Sequence, residues 1–262
     1  MQGTYTDLEA GKDLTEAGFR FGDRGTHTSR TMMLTELTDL FAELPVDSSR
    51  STYASAIIDD NILGKQTTAT RRLSNQRLGE LYGLDARLPL FRVLRRLWPV
   101  DEAGRPLLAL LCSLARDPLL RSTARAVLEL PVGAELVRAT FLSAIRQEVG
   151  SRLNDSILDK VARNAGSTWS QAGHLQGRVR KIRQRVTPTA GSVAMALWMG
   201  TLENLAGEQL LECSWARVLD RSGGSLIEFV LQAKQLGLIH ARIGGGVVEI
   251  DASRLDTKRT GS

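Results

Sequence analysis

Residues 52–83 read TYASAIIDDNILGKQTTATRRLSNQRLGELYG. Tyr53, Ile57, Ile58 and Ile62 recur at helical spacing behind Ser51 or Thr52 as N-cap, and Gly64 is a residue type that ends helices in the left-handed conformation. Within three residues Thr67 or Thr68 can cap a second helix, which runs to Tyr82 before Gly83. Two helices joined by a short glycine-containing turn are the outline of a helix-turn-helix. On a helical wheel the second helix groups Leu73, Leu78, Leu81 and Tyr82 on one side. Thr68, Arg72, Asn75, Gln76 and Gly79 face away, with Arg71 at the border. Arg77 falls on the inward side, so an internal ion pair is expected for it, with Asp59 or Asp60 as partner.

The charge pattern extends from this stretch. Leu63 to Gly79 holds no aspartate or glutamate around Lys65, Arg71, Arg72 and Arg77. A second acid-free window, Lys160 to Leu202, holds Lys160, Arg163, Arg178, Arg180, Lys181, Arg183 and Arg185. Clustered cations without interleaved acids are the sequence footprint of a surface that meets a phosphate backbone. The net charge of +5 is mild by comparison, so the distribution carries the argument.

Downstream, Leu88 to Leu130 is strongly apolar and reads as helical core, and Ala134 to Val149 as a further helix before Gly150. Asn154 or Asp155 then caps a helix with Ile157, Leu158 and Val161, the triplet Asn164-Ala165-Gly166 reads as a turn, and Ser167 caps a partner helix. That predicts a second helix-turn-helix, followed directly by the Arg178–Arg185 cluster. Trp169, beside its cap, reads as core. Near the end, β-prone runs Leu238–Ile243 and Val247–Ile250 flank Gly244 to Gly246 as a hairpin, giving the order of a winged helix. The expected fold is mainly α: two helix-turn-helix or winged-helix-like units on a helical core, with a small C-terminal β-hairpin. Three regions are expected: a flexible leader at 1–29, an N-terminal helical domain at 30–150 and a C-terminal helical, winged-helix-like domain at 151–262.

Several function classes lose support. The longest apolar run, Pro106–Ala115, is far short of the ~20 residues a membrane span needs, so no membrane partner is expected. Cys112 and Cys213 sit in apolar contexts without metal-ligand spacing; they read as reduced core residues of a cytoplasmic protein, with no metal or cofactor implied. His27, His174 and His240 have no carboxylate and nucleophile beside them in sequence, and the glycine run lacks the lysine and hydroxyl of a phosphate loop. The reading is non-catalytic.

The segment Asp59 to Tyr82 resembles the N-terminal signature of the BrxA family, accessory proteins of BREX phage-defence systems. The positions that carry the likeness are Asp60, Asn61, Ile62 and Leu63, then Thr67 and Thr70, then the pair Arg77 and Leu78. The resemblance extends more weakly to the Thr168 and Trp169 region, and the chain from Glu203 onward is longer than in that family. It implies a largely helical, non-catalytic DNA-binding accessory protein whose partners are double-stranded DNA and other phage-defence proteins; apart from the resemblance, a homo-oligomer stays open.

On this reading Lys65, Thr67, Thr68, Arg71, Arg72, Asn75 and Gln76 form one DNA contact. Thr67 and Thr68 would hold phosphate at the helix start, while Arg72, Asn75 and Gln76 face base edges. Ser167, Thr168, Arg178, Arg180, Lys181, Arg183 and Arg185 form the other. The same cations would serve a protein-binding scaffold or an RNA-binding protein, and both alternatives stay open at this point.

Overall fold

The computed structural model describes residues 11–22 and 25–256, a mainly helical chain with two small antiparallel strand pairs. The expected leader is corrected wherever it is described. Lys12–Ala17 forms helix α1, which buries Leu14 and Ala17, and Phe19 meets Trp215 edge-on at 5.7 Å. A 3₁₀ turn, Thr26–Thr28, carries His27 fully inside the protein. Residues 1–10, 23, 24 and 257–262 lie outside the described residues.

Helix α2 spans Leu34–Glu43, α3 spans Arg50–Ile58 and α4 spans Thr68–Tyr82. α3 starts at Ser49, whose hydroxyl accepts from Thr52 N at 3.1 Å, and stops four residues earlier than Ile62. Asn61 causes the early stop: it sits at φ 54°, its carboxamide oxygen accepts from Lys65 N at 2.8 Å, and Ile62 N reaches back to Ala56 O. Gly64, at φ 60°, completes the link. α4 follows the pattern, with Thr67 as N-cap and Leu78, Leu81 and Tyr82 buried. Arg77 does find a carboxylate, but it belongs to Glu80 one turn along, at 2.7 Å, not to Asp59 or Asp60.

α5 (Pro89–Leu97) and α6 (Arg105–Arg116) each begin with proline in the first turn, where its missing N–H leaves nothing unpaired. α6 is buried from Leu107 to Arg116 and runs through the middle of the molecule. α7 (Pro118–Arg121), α8 (Ala124–Leu128) and α9 (Arg138–Val149) lead to α10, a single helix from Asp155 to Gln171. The second helix-turn-helix is therefore corrected: 164–166 is helix interior, not a turn. Asn164 lies there because its amide donates to His27 O at 2.8 Å, and Gly166 because the stem of Lys181 crosses the helix where a side chain would stand.

Short strands β1 (Leu175–Gln176) and β2 (Ile182–Arg183) follow, then α11 (Ala190–Thr201), α12 (Glu208–Leu211), α13 (Ser214–Val218) and α14 (Ile227–Gln235). β3 (His240–Gly244) and β4 (Val247–Asp251) form the expected hairpin, closed by Gly245 and Gly246 at φ 59° and 79°, the two-residue turn that fits strand twist. α11 is buried from Gly191 to Gly200 and packs on α6. Asp101 fastens the two: its carboxylate accepts from Ser192 N at 3.1 Å and Thr189 Oγ1 at 2.5 Å at the start of α11. Gly104 and Gly191 leave room for it. The buried side chains form one continuous cluster across Gly150, so the expected division at that residue does not separate two cores.

Among the described residues four arginines lie inside, and main-chain carbonyls hold them. Arg95 donates to Phe41 O and Leu44 O at the end of α2 and stacks 4.2 Å over the Phe41 ring. Arg116 binds Gly18 O after α1, plus Gly79 O and Glu80 O in the last turn of α4. Arg121 binds Leu114 O and Ala115 O of α6 and Arg20 O. Arg183 binds Val127 O of α8 and forms an ion pair with Asp220. Burial pushes the guanidinium groups of Arg116 and Arg121 down to about 10, so both stay charged at neutral pH. Arg116→Met keeps the stem but removes a buried guanidinium from three carbonyls: Gly18 O loses its donor, while Gly79 O keeps Gly83 N and Glu80 O keeps Arg20. Urea unfolding should show a loss of about 3 kcal/mol for it, against less than about 0.5 kcal/mol for Arg72→Met on the surface.

Candidate polyanion-binding surface

The first expected contact loses most of its free charge. Lys65 reaches Glu36 of α2 at 3.0 Å, and Arg71 donates to Ile58 O at 2.7 Å, the last carbonyl of α3. Asn75 accepts from Arg50 at 2.8 Å, and Gln76 donates to Glu80 at 2.9 Å. Thr67 is engaged as the N-cap. Thr68 and Arg72 stay exposed on one stripe of α4, and Arg72 makes no ion pair among the described residues.

The second contact divides into an inside and an outside. Thr168 is corrected: it is fully buried, and its hydroxyl meets His27 Nε2 at 2.8 Å and accepts from Met32 N at 2.9 Å. Arg183 is corrected as well, being buried against Asp220. Ser167 is half-buried and bonds back to Arg163 O within the helix. Arg178 and Arg185 are exposed without a carboxylate partner among the described residues. Arg180 is exposed but meets Glu135 at 2.8 Å, and Lys181 bonds to Ser170 Oγ at 2.9 Å.

Around these residues the fold assembles a surface that no single sequence window showed. Lys160 and Arg163 lie one turn apart on the exposed side of α10. Asp159 is shared by Arg163, at 3.4 Å, and Arg138 from the start of α9. Farther along the helix, Lys181 lies across Gly166 and ends at Ser170, which brings in the hairpin carrying Arg178 and Arg180. Of these six cations, Arg138 and Arg163 share Asp159 and Arg180 meets Glu135, while Lys160, Arg178 and Lys181 make no ion pair among the described residues; Asp155, one turn before Asp159, pairs with Arg146, and Glu129 and Glu148 lie near Glu135. Arg138, Lys160 and Arg163 are the site residues that sequence reasoning passed over. Lys160 stood at the edge of the acid-free window, and Arg138 lay outside it with its packing onto α10 unknown.

The hairpin itself is held stiffly. β2 pairs with β1 on one side and with the chain at 133–136 on the other, through Gly133 N to Arg183 O, Arg183 N to Ala134 O and Leu136 N to Lys181 O. Gly177, at φ 105°, makes the turn possible, because a Cβ there would overlap Arg180 O.

Two histidines have structural surroundings. His27 Nδ1 lies 2.7 Å from Asp117 Oδ2 with the Thr168 hydroxyl on the other ring nitrogen, the order of acid, imidazole and hydroxyl found in nucleophile relays. All three groups are buried, so the arrangement ties the 25–33 segment onto α7 and α10. Asp117 also accepts from Leu119 N and Leu120 N at the start of α7. Burial raises its pKa, but His27 and these amides outweigh that, and the carboxyl sits below its usual range. His174 donates from Nε2 to Val218 O at 2.8 Å, its Nδ1 is buried without a partner, and burial pushes it down to about 4.

No family model matches the chain, and neither a curated protein nor a solved structure matches it.

The His174 shift has a measurable sign. Its folded value lies below the unfolded value of ~6.5, so the unfolded chain binds the proton first, and stability falls as pH drops from ~6.5 towards 4. The loss should reach on the order of 3 kcal/mol, and His174→Gln should flatten the stability profile across that window in urea titrations.

Proposed function

We propose that the protein is a non-catalytic binder of duplex DNA, which it meets through the exposed face of α10, the start of α9 and the β1–β2 hairpin. The observation that supports this best is the concentration of available cations there: Lys160, Arg178 and Lys181 make no ion pair among the described residues, and Arg138, Arg163 and Arg180 make only exposed ones. Exposed ion pairs of this kind are worth well under about 1 kcal/mol, so Asp159 and Glu135 yield their arginines to phosphate at small cost. The face runs from Lys160 to Ser170, ~15 Å of helix, before the hairpin extends it, enough for several phosphates. Thr68 and Arg72 on α4 form a smaller second contact, with limited capacity to read bases.

A role within a phage-defence assembly rests on the likeness of Asp59 to Tyr82 to the BrxA signature. Within that stretch the structure gives the residues plain duties: Asn61 turns the chain, Thr67 caps α4 and Arg77 pairs with Glu80. A protein scaffold or an RNA partner would use the same cations, so mobility shifts with duplex DNA, single-stranded DNA and RNA separate the readings.

Duplex affinity should fall steeply with salt. The triple variant K160A/R163A/R178A should reduce the slope of log K against log salt by roughly 2 to 3, about 0.9 for each phosphate contact removed. An unchanged slope removes this surface from the proposal.

A further inference from the structure

The tip of the β1–β2 hairpin reads Gly177-Arg178-Val179-Arg180. Val179 is 91% exposed, far more than any other large apolar side chain described. A turn in water has no use for a valine at its apex; serine, asparagine or aspartate would bond the backbone there. Nothing among the described residues covers it, and arginines stand on both sides of it in sequence. Arg178 has no carboxylate partner among the described residues, and Arg180 has only the exposed contact with Glu135.

The mounting of the tip matters as much as its composition. β2 is bonded on both edges, Arg183 anchors its base to Asp220 inside the protein, and Lys181 ties its flank to α10. Gly177, at φ 105°, lets the chain reverse where a Cβ would overlap Arg180 O. A projection whose base is fixed loses less freedom on entering a narrow site than a free loop does.

We propose that this tip is a minor-groove wedge: Arg178 and Arg180 enter the groove of duplex DNA and Val179 presses against a base step. This rests on the duplex-binding reading above and adds the groove, the contact and a sequence preference. The B-DNA minor groove is about 6 Å wide, which admits a turn apex but not a helix, and its negative potential is strongest in A·T tracts, where inserted arginines are favoured. Apolar side chains at such tips partly unstack a base step and bend the duplex. The face of α10 beside the hairpin then meets the flanking phosphates, so one surface supplies both contacts.

The test uses the full chain with fluorescently end-labelled duplexes, one A·T-rich and one G·C-rich, and reads affinity by anisotropy and bending by energy transfer between the ends. The wild-type protein should prefer the A·T-rich duplex, bend it, and be displaced by the minor-groove ligand netropsin. Val179→Ser should abolish most of the bending and weaken A·T-rich binding about tenfold, while leaving the salt slope unchanged. K160A/R163A should instead weaken both duplexes alike and lower the slope. Both variants change exposed side chains, and circular dichroism confirms their fold. If duplex binding persists but Val179→Ser and netropsin leave affinity and bending untouched, the wedge is overturned and the phosphate surface stands. If no duplex is bound at all, both fall.

Discussion

The fold depends on arginine reaching into helix ends. A helix finishes with carbonyls that have no partner in the chain, and when that end is buried the deficit costs about 1–3 kcal/mol for each group. Here short helices end against one another in the interior, where water does not reach. Arg95, Arg116, Arg121 and Arg183 bring donors to these ends, each serving two or more carbonyls; some, such as Phe41 O and Gly18 O, take the guanidinium as their donor, while Gly79 O and Ala115 O take it beside a main-chain N–H. The planar guanidinium can do this because it offers five donors in a fixed fork, and the partial negative charge of a helix terminus favours the cation. Of the four, Arg183 alone also forms an ion pair among the described residues, with Asp220.

This internal use of arginine redistributes the charge that a sequence count places outside. Arg183 sits in the densest basic cluster of the chain, yet it faces inward and fastens β2 to the C-terminal half. The exposed field therefore comes from fewer cations than the composition suggests, and it is concentrated where α9, α10 and the hairpin meet.

The sequence made α4 legible to its N-cap, and with it the buried row Leu78, Leu81 and Tyr82, because a long helix with one apolar side announces its period. The apolar helices and the C-terminal hairpin were legible for the same reason. Asn164 and Gly166 misled because their local meaning is a turn, while their reasons for being there, a bond to His27 O and the passage of Lys181, come from distant parts of the chain. The leader misled likewise: glycine-rich composition hides the single His27 that Asp117 draws into the core. Counter-charges were least legible of all. Glu36, Glu135 and Asp220 lie outside the windows whose cations they meet, so a window without acids does not imply a surface without them.

Asp101 closing the first turn of α11 bears on the order of events at the ribosome. α6 emerges early, and its side towards α11 has no cover until the chain beyond Thr201 has left the exit tunnel. At ~5–20 residues per second that interval is on the order of ten seconds, long compared with helix formation or collapse. During synthesis the nascent protein therefore holds an apolar central helix half-clothed, with an aspartate already in position to receive the N-terminus of the helix that will complete it.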